Sequence, residues 1–411
     1  MTAFPPPEIK QLLCQKIDEL SPVFHRIADY LHQHPELSGK EENSSQLLQD
    51  ILSDCGFTIS PIIPEALPTA FHGVRGNGPV NIGFLAEYDA LPKLGHGCGH
   101  NLIAAMSATA AIACVEILGE QATVHIFGCP AEETIGGKVF MSEAGAFKGL
   151  DAALICHPGD VTAIGGTSYA THPLRFTFIG KPAHVADPDY HGINALDALV
   201  DFYQQLGVLQ ESFTEPYIIG KIITDGGSAP NIVPERAVMK ATIRALRTEY
   251  LEEVMLPQIK ELAKRVSQAH GTELEMEHYE PLFKNLINDR QLSEYMKANF
   301  ETLGLTVTEY PADEADGSTD VGNVSHDAPT IQPEIKIGEG ISAHTHEFAA
   351  AAGSEYGKNM ALLAAKAMAM TAADVLKMAP LKGELAPKAT EGQPVTRLAG
   401  SPERGAGAEG D

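Results

Sequence analysis

Basic side chains are scarce in this chain: 29 lysines and arginines stand against 54 aspartates and glutamates, a formal net charge of −25. So acidic a surface is repelled by the phosphates of nucleic acids and anionic membranes, so neither is expected as a partner; at long range it mildly favours cationic ligands. Cysteine is also sparse. Cys14, Cys55, Cys98, Cys114, Cys129 and Cys156 are spread too widely for a disulfide framework, and reduced thiols in a cytoplasm are expected. The first residues, MTAFPPPEIKQLL, lack the basic start and apolar core of a secretory signal, so export is not expected. The most apolar stretch, 102–118, is interrupted by Ser107, Thr109 and Glu116 and reads as a buried helix, not a membrane span. Internal repeats are absent.

What remains is an ordinary soluble composition, 44% hydrophobic and 20% charged, in 411 residues, enough for two or more domains with buried cores. Helical periodicity fills 8–52 in two stretches, broken at HPELSGKEE by Pro35 and Gly39. The chain then alternates, with strands expected at 80–86, 122–127 and 152–156 and helices at 102–118 and 138–146. This βαβ order predicts a mainly parallel sheet covered by helices, with ligands at the carboxyl ends of its strands. From 171 the pattern becomes βαββαβ, the order of a ferredoxin-like unit: strands at 217–224, 237–245 and 273–278 and helices at 194–209 and 249–269 follow the strand PLRFTFIG. Further segments resume at 292–303 and 330–337, with a final helix at 348–376. The expected class is therefore α/β, with 171–282 inserted between catalytic segments 1–170 and 283–379. The segment 380–411, rich in Pro, Gly, Ala and charge, is expected to be a disordered tail.

The chemistry concentrates after expected strands. EYDALPKLGHGCGHN, from Glu87 to Asn101, holds a thiol, two imidazoles and two carboxylates. Cys98 and His100 are two apart, so in extended backbone they share a side, with His96. A Cys/His/carboxylate mixture suits zinc or a similar divalent ion; the alternative is a polar loop without ligands. Glu132 and Glu133 are consecutive and diverge, so one can hold a metal while the other moves protons; otherwise they are a solvated helix start. His157 follows an apolar run, and His344 and His346 precede a helix. Each alone has a structural explanation. Together they fit a metal site with an adjacent general base, and hence hydrolysis.

These motifs, in order EYDALP with GCGHN, GCPAEE with GGK, the His-Pro at 157, GKPAHVADP with HGINALDAL, GSAPNIVPERA, GSTDVGNVS and HTHEFA, resemble the aminoacylase and glutamate-carboxypeptidase family of dinuclear zinc peptidases, peptidase family M20, in the amidohydrolase branch that carries Cys-Gly-His. The resemblance spans about residues 8 to 375. It implies a catalytic domain with a lid and dimerisation domain, and a homodimer. It implies two divalent ions, zinc or alternatively manganese, cobalt or nickel, held by Cys98, His100, Glu133, His157 and His344, with Cys98 as candidate bridge. Glu132 would be general base and Asp89 would orient a ligand. His184 would reach the partner subunit's site and polarise the scissile carbonyl, while Asn231 and Arg244 would hold the substrate's carboxylate. Glu87 stands where many relatives have a ligating His and is not taken as a ligand. His346 remains a rival to His344.

The expected reaction is hydrolysis of an amide beside a free carboxylate, as in dipeptides ending in Arg, Lys or ornithine. N-acyl amino acids and p-aminobenzoyl-glutamate are alternatives. Two rivals remain: thiol catalysis by Cys98 with His100, for which no third orienting group is evident, and a non-catalytic binding protein that keeps the fold.

Overall fold

The computed structural model describes residues 7–186 and 191–377; the 380–411 segment lies outside them. The strand Val80–Glu87 is buried almost throughout, as a continuous apolar run should be when it is flanked on both sides and covered on both faces. It pairs in parallel with Ala122–Cys129 and Ala152–Leu154, and Thr330–Ile331 extends the same sheet in parallel. Phe71–Gly76 and Thr58–Pro61 complete the other edge antiparallel, giving six strands. Helix His100–Leu118 packs on this sheet and is enclosed by helices Pro7–Glu19, Ser21–Gln33 and Glu355–Val375. Its window is apolar enough to cross a membrane, yet 83% of that window is buried in protein, so it is a core helix.

The βαββαβ unit forms as expected. Its antiparallel sheet runs Glu273–His278, Ala170–Ile179, Arg236–Ala245, Tyr217–Asp225, and the helices Ala195–Gln210 and Leu256–His270 contribute to its core. Phe202 anchors that core, its ring centroid 4.8 Å from Phe176 and 5.8 Å from Phe178. Asn194 caps the first of these helices by accepting from Leu196 N at 3.0 Å. The unit joins the rest of the chain where Thr171 and Phe283 exchange backbone hydrogen bonds of 2.8 and 3.2 Å.

Several local expectations need correction. A third sheet, Thr308–Ala315, Ala163–Thr167, Glu334–Lys336, His157–Gly159, was not foreseen, because its strands are short, glycine-bearing (AIGGT) or charged (TEYPADEA) and lack clear alternation. The strand expected at 330–337 divides around Pro333 between two sheets; proline has no N–H to give a ladder. Likewise the run expected to end at Cys156 stops at Leu154, and His157 opens a strand of the third sheet. The N-terminal region makes three helices, not two, because the first breaks at Leu20 and Pro22 starts a new one. The final helix is two, His346–Gly353 and Glu355–Val375, the second capped by Ser354 Oγ accepting from Gly357 N at 2.9 Å.

Candidate metal centre

Glu87 is the last residue of its strand, and the chain then loops through three glycines, Gly95, Gly97 and Gly99, before helix His100–Leu118. Gly99 has φ +76°, and a Cβ there would lie 2.7 Å from Pro158 Cγ. Only glycine lets this loop touch the His157–Gly159 strand so closely. The approach brings Cys98 Sγ to 3.5 Å from His157 Nε2.

The neighbouring strand, Ala122–Cys129, delivers Glu132 and Glu133. Ala131 sits at φ +60°, an uncommon conformation for a residue with a Cβ. Asp89 joins the two loops: its Oδ1 lies 2.9 Å from His100 Nδ1, and its Oδ2 accepts from Glu133 N at 3.0 Å. His100 is thereby oriented with Nε2 inward. His344, also at positive φ (+64°), donates its N–H to Gly97 O at 2.9 Å and brings Nε2 to 3.4 Å from Glu133 Oε2.

Three overlapping groups result: Cys98 with His100 and His157; Cys98 with Glu133 and His344; and His100 with Glu132 and Glu133, the donor atoms in each lying within 4.8 Å of one another. Two of their atoms, His100 Nε2 and Glu133 Oε1, are buried, 3.9 Å apart, and without a hydrogen-bond partner among the described residues. Each buried unpaired polar atom costs roughly 1–3 kcal/mol, so such a pair calls for something between or beside it. Tetrahedral ligands about 2.1 Å from zinc lie about 3.4 Å apart, close to the spacings observed here. Thiol, imidazole and carboxylate donors at these distances fit a divalent cation.

Burial opposes the charge on Asp89, but the adjacent His100 ring outweighs it and holds the carboxyl at about 2. His100 is likewise pushed down by burial and up, with the larger result, by Asp89. Burial, then the charges of Asp320 and Glu87, raise Glu132 well above the ordinary carboxylate range. Burial pushes the Cys98 thiol up to about 12; an adjacent cation is what favours a thiolate.

The structure thus gathers Asp89, Cys98, His100, Glu132, Glu133, His157 and His344 in one place. His346 opens its helix exposed and outside the cluster. His96 is buried elsewhere, its Nδ1 accepting from Asn101 N at 3.2 Å. His184, Asn231 and Arg244 lie on the βαββαβ unit, apart from the cluster. His184 and Asn231 sit on adjoining backbone, Val185 N donating to Asn231 O at 3.1 Å, and both are exposed. Arg244 Nε is buried, and among the described residues its guanidinium has no hydrogen-bond or ion-pair partner.

Lys138 and Asp320 escaped the sequence reading although both lie in quoted motifs, GGK and GSTD. Nothing in a sequence marks a lysine as fully buried. Here Lys138 Nζ lies 2.7 Å from Glu87 Oε1 and 2.6 Å from Asp320 Oδ1, behind the cluster.

Comparison with known proteins gives the family and the fold. The model of Peptidase family M20/M25/M40 matches residues 83–374. The chain is 33% identical over 398 residues to the Xaa-Arg dipeptidase of Mus musculus, covering 91% of each protein. It is 35% identical over 241 residues to one of the subunits of p-aminobenzoyl-glutamate hydrolase from Escherichia coli (strain K12), 53% of this chain and 50% of that one. Among solved structures, the YXEP protein of Bacillus subtilis, described as a dinuclear metal binding peptidase from the M20 family, superposes with a TM-score of 0.66 at 18% identity, covering 88% of this chain and 99% of that one.

Proposed function

This chain belongs to Peptidase family M20/M25/M40 and is a hydrolase of peptide or amide bonds, and from that premise we propose that it is a two-metal dipeptidase that cleaves the amide of dipeptides with a basic C-terminal residue. One observation carries the site assignment: His100 Nε2 and Glu133 Oε1 lie 3.9 Å apart, buried and without a hydrogen bond among the described residues, beside thiol and imidazole donors. Cys98, His100, Glu133, His157 and His344 hold two divalent ions, zinc in our reading, with manganese, cobalt or nickel as alternatives. Cys98, His100 and Glu133 each belong to two of the three donor groups, and among these Cys98 is our choice of bridge. When bound, the ions polarise the scissile carbonyl and make water acidic near neutral pH.

The protein's own groups do the rest. Glu132 takes the proton of the attacking water and returns it to the leaving amine. Half-buried and acted on by the charges of Asp320, Glu87 and Lys138, it suits the role of a carboxylate that must gain and lose a proton. Asp89 keeps the Nδ1 side of His100 engaged so that Nε2 faces inward. Arg244, with no carboxylate partner of its own among the described residues, and Asn231 receive the substrate's carboxylate. His184 acts on the scissile carbonyl from the partner subunit. The segment 171–282 is lid and dimer interface, and 1–170 with 283–379 the catalytic domain. The edge strand Tyr217–Asp225, with Ile218, Ile222 and Ile223 exposed, supports a homodimer through this unit. All six cysteines are free thiols, which suits the cytoplasm as its place of action.

The basic-dipeptide reading draws on the name of the mouse relative. The test is a hydrolysis panel of β-alanyl-lysine, Xaa-Arg dipeptides, hippurate, N-acetyl amino acids and p-aminobenzoyl-glutamate, run with zinc, manganese or cobalt. Preference for an acidic leaving group would remove this reading in favour of a p-aminobenzoyl-glutamate hydrolase.

A further inference from the structure

Glu41 lies in the HPELSGKEE break and belongs to none of the ligand-bearing motifs above. It lies between helices Ser21–Gln33 and Glu42–Asp54, far in sequence from the metal cluster, and is fully buried. Desolvating a carboxylate is costly and is ordinarily offset by a cation. Among the described residues no cationic side chain forms a hydrogen bond or ion pair with this carboxyl. Instead Oε1 accepts from Gly39 N at 2.6 Å and from Ala131 N at 2.9 Å, and Oε2 accepts from Thr69 Oγ1 at 3.2 Å.

The bond to Ala131 is the telling one. Ala131 holds φ +60° immediately before Glu132, and its carbonyl closes the following loop by accepting from Gly136 N at 2.9 Å. On the other side of Glu132, Glu133 N donates to Asp89 Oδ2 at 3.0 Å. The backbone is therefore anchored to a carboxylate both before and after Glu132. Without the first anchor, Ala131 is free to relax to negative φ, which swings Glu132 away from the cluster.

We propose that Glu41 is a positioning residue that, with Asp89, forms a two-point carboxylate clamp on the backbone flanking Glu132 and holds that side chain where it must take a proton. The proposal rests on Glu132 being the general base. Glu41 touches neither substrate nor metal; it acts through Ala131.

The experiment compares E41A, E41Q, E41D and the double variant E41A with A131G in the metal-loaded full chain. Displacement of a catalytic group by about 1 Å costs about a hundredfold in rate, so E41A is expected to lose about that factor in kcat with KM and bound metal unchanged. E41Q, whose amide oxygen still accepts from both backbone N–H groups, stays within a fewfold of wild type. E41D keeps the charge but withdraws the acceptor, and repeats the E41A loss; it serves if E41A does not fold. Glycine adopts φ +60° without strain, so A131G in the E41A background restores part of kcat. Hydrogen exchange adds a readout independent of turnover: E41A or E41D speeds exchange across 129–137 and leaves 98–104 unchanged. E41Q as impaired as E41A, loss of bound metal, or unaltered exchange at 129–137 each overturns the clamp. If the wild type cleaves no amide in the panel, the functional reading fails, while the exchange data still decide the clamp.

Discussion

Lys138 and Glu87 form an ion pair of 2.7 Å in which neither side chain is more than 1% exposed. Asp320 closes the group from the far side at 2.6 Å, also receiving the backbone N–H of Lys138 at 2.8 Å. One buried ammonium thus holds two buried carboxylates, and Glu87 is kept on Lys138 even though its other oxygen is 3.4 Å from His100 Nε2. Removing one partner of a buried ion pair leaves an uncompensated charge and costs about 3–5 kcal/mol. Lys138→Met is therefore expected to lower unfolding stability by about that much, measured by urea denaturation of the metal-free protein. A change near zero would show that water or rearrangement relieves the two carboxylates.

Chelation should abolish hydrolysis, and zinc, manganese or cobalt should restore it. Glu132→Gln should keep both metal ions, counted by elemental analysis, while losing about 10²–10⁴ in kcat, the usual worth of a general base. Metal lost together with activity would mean that Glu132 is a ligand. Activity indifferent to chelators would instead favour Cys98 as nucleophile.

Among the described residues Arg244 has a buried Nε without a hydrogen bond and forms no ion pair, so replacing it breaks no ion pair among them. Arg244→Lys is expected to retain wild-type thermal stability and lose about 10- to 100-fold in kcat/KM, since a charged hydrogen bond contributes about 1.5–3 kcal/mol. The loss should vanish for substrates whose C-terminal carboxylate is amidated. Equal losses on both substrates would rule out carboxylate recognition.

His72 and His125 stack across adjacent strands, His72 Nε2 lying 2.9 Å from His125 Nδ1, with Asn81 Oδ1 3.1 Å from His125 Nε2. Burial, then the neighbouring His72, lower His125 to about 4. A depressed histidine stabilises the folded state above its unfolded pKa near 6.5, and that contribution is lost as pH falls toward 4, where the unfolded chain is protonated first. Partial exposure reduces the effect to about 1–2 kcal/mol. His125→Gln should flatten the stability profile between pH 6.5 and 4, and a variant parallel to wild type across that window would contradict the assignment.

Where periodicity is strong, the sequence was informative: Glu273–His278 coincides with its expected bounds, and helix His100–Leu118 begins two residues early because His100 itself opens it. The third sheet was illegible because strands such as AIGGT gain their pairing from neighbours, not from alternation. The candidate site was legible as residue types, since the ordered motifs carry the proposed ligands and base. Its support was not: Glu41 and Lys138 matter through burial and through contacts with residues 90 and 182 positions away, which no local pattern encodes.

Subunit mixing decides whether the cluster is complete within one chain. His184 is exposed, and its Nδ1 accepts only from Ala186 N, at 3.1 Å, among the described residues. If it serves the partner's site across a twofold axis, Glu132→Gln and His184→Ala proteins, each inactive alone, should complement when subunits are mixed by mild dissociation. In the mixed dimer one site has Glu132 from one chain and His184 from the other. Random pairing makes half the dimers mixed and half their sites intact, so about a quarter of wild-type activity should return. Ile222→Lys, which puts a charge on the exposed edge strand, should yield monomers by sedimentation and abolish this recovery. Activity that never rises above that of the parents would place His184 in its own subunit's site, or outside catalysis altogether.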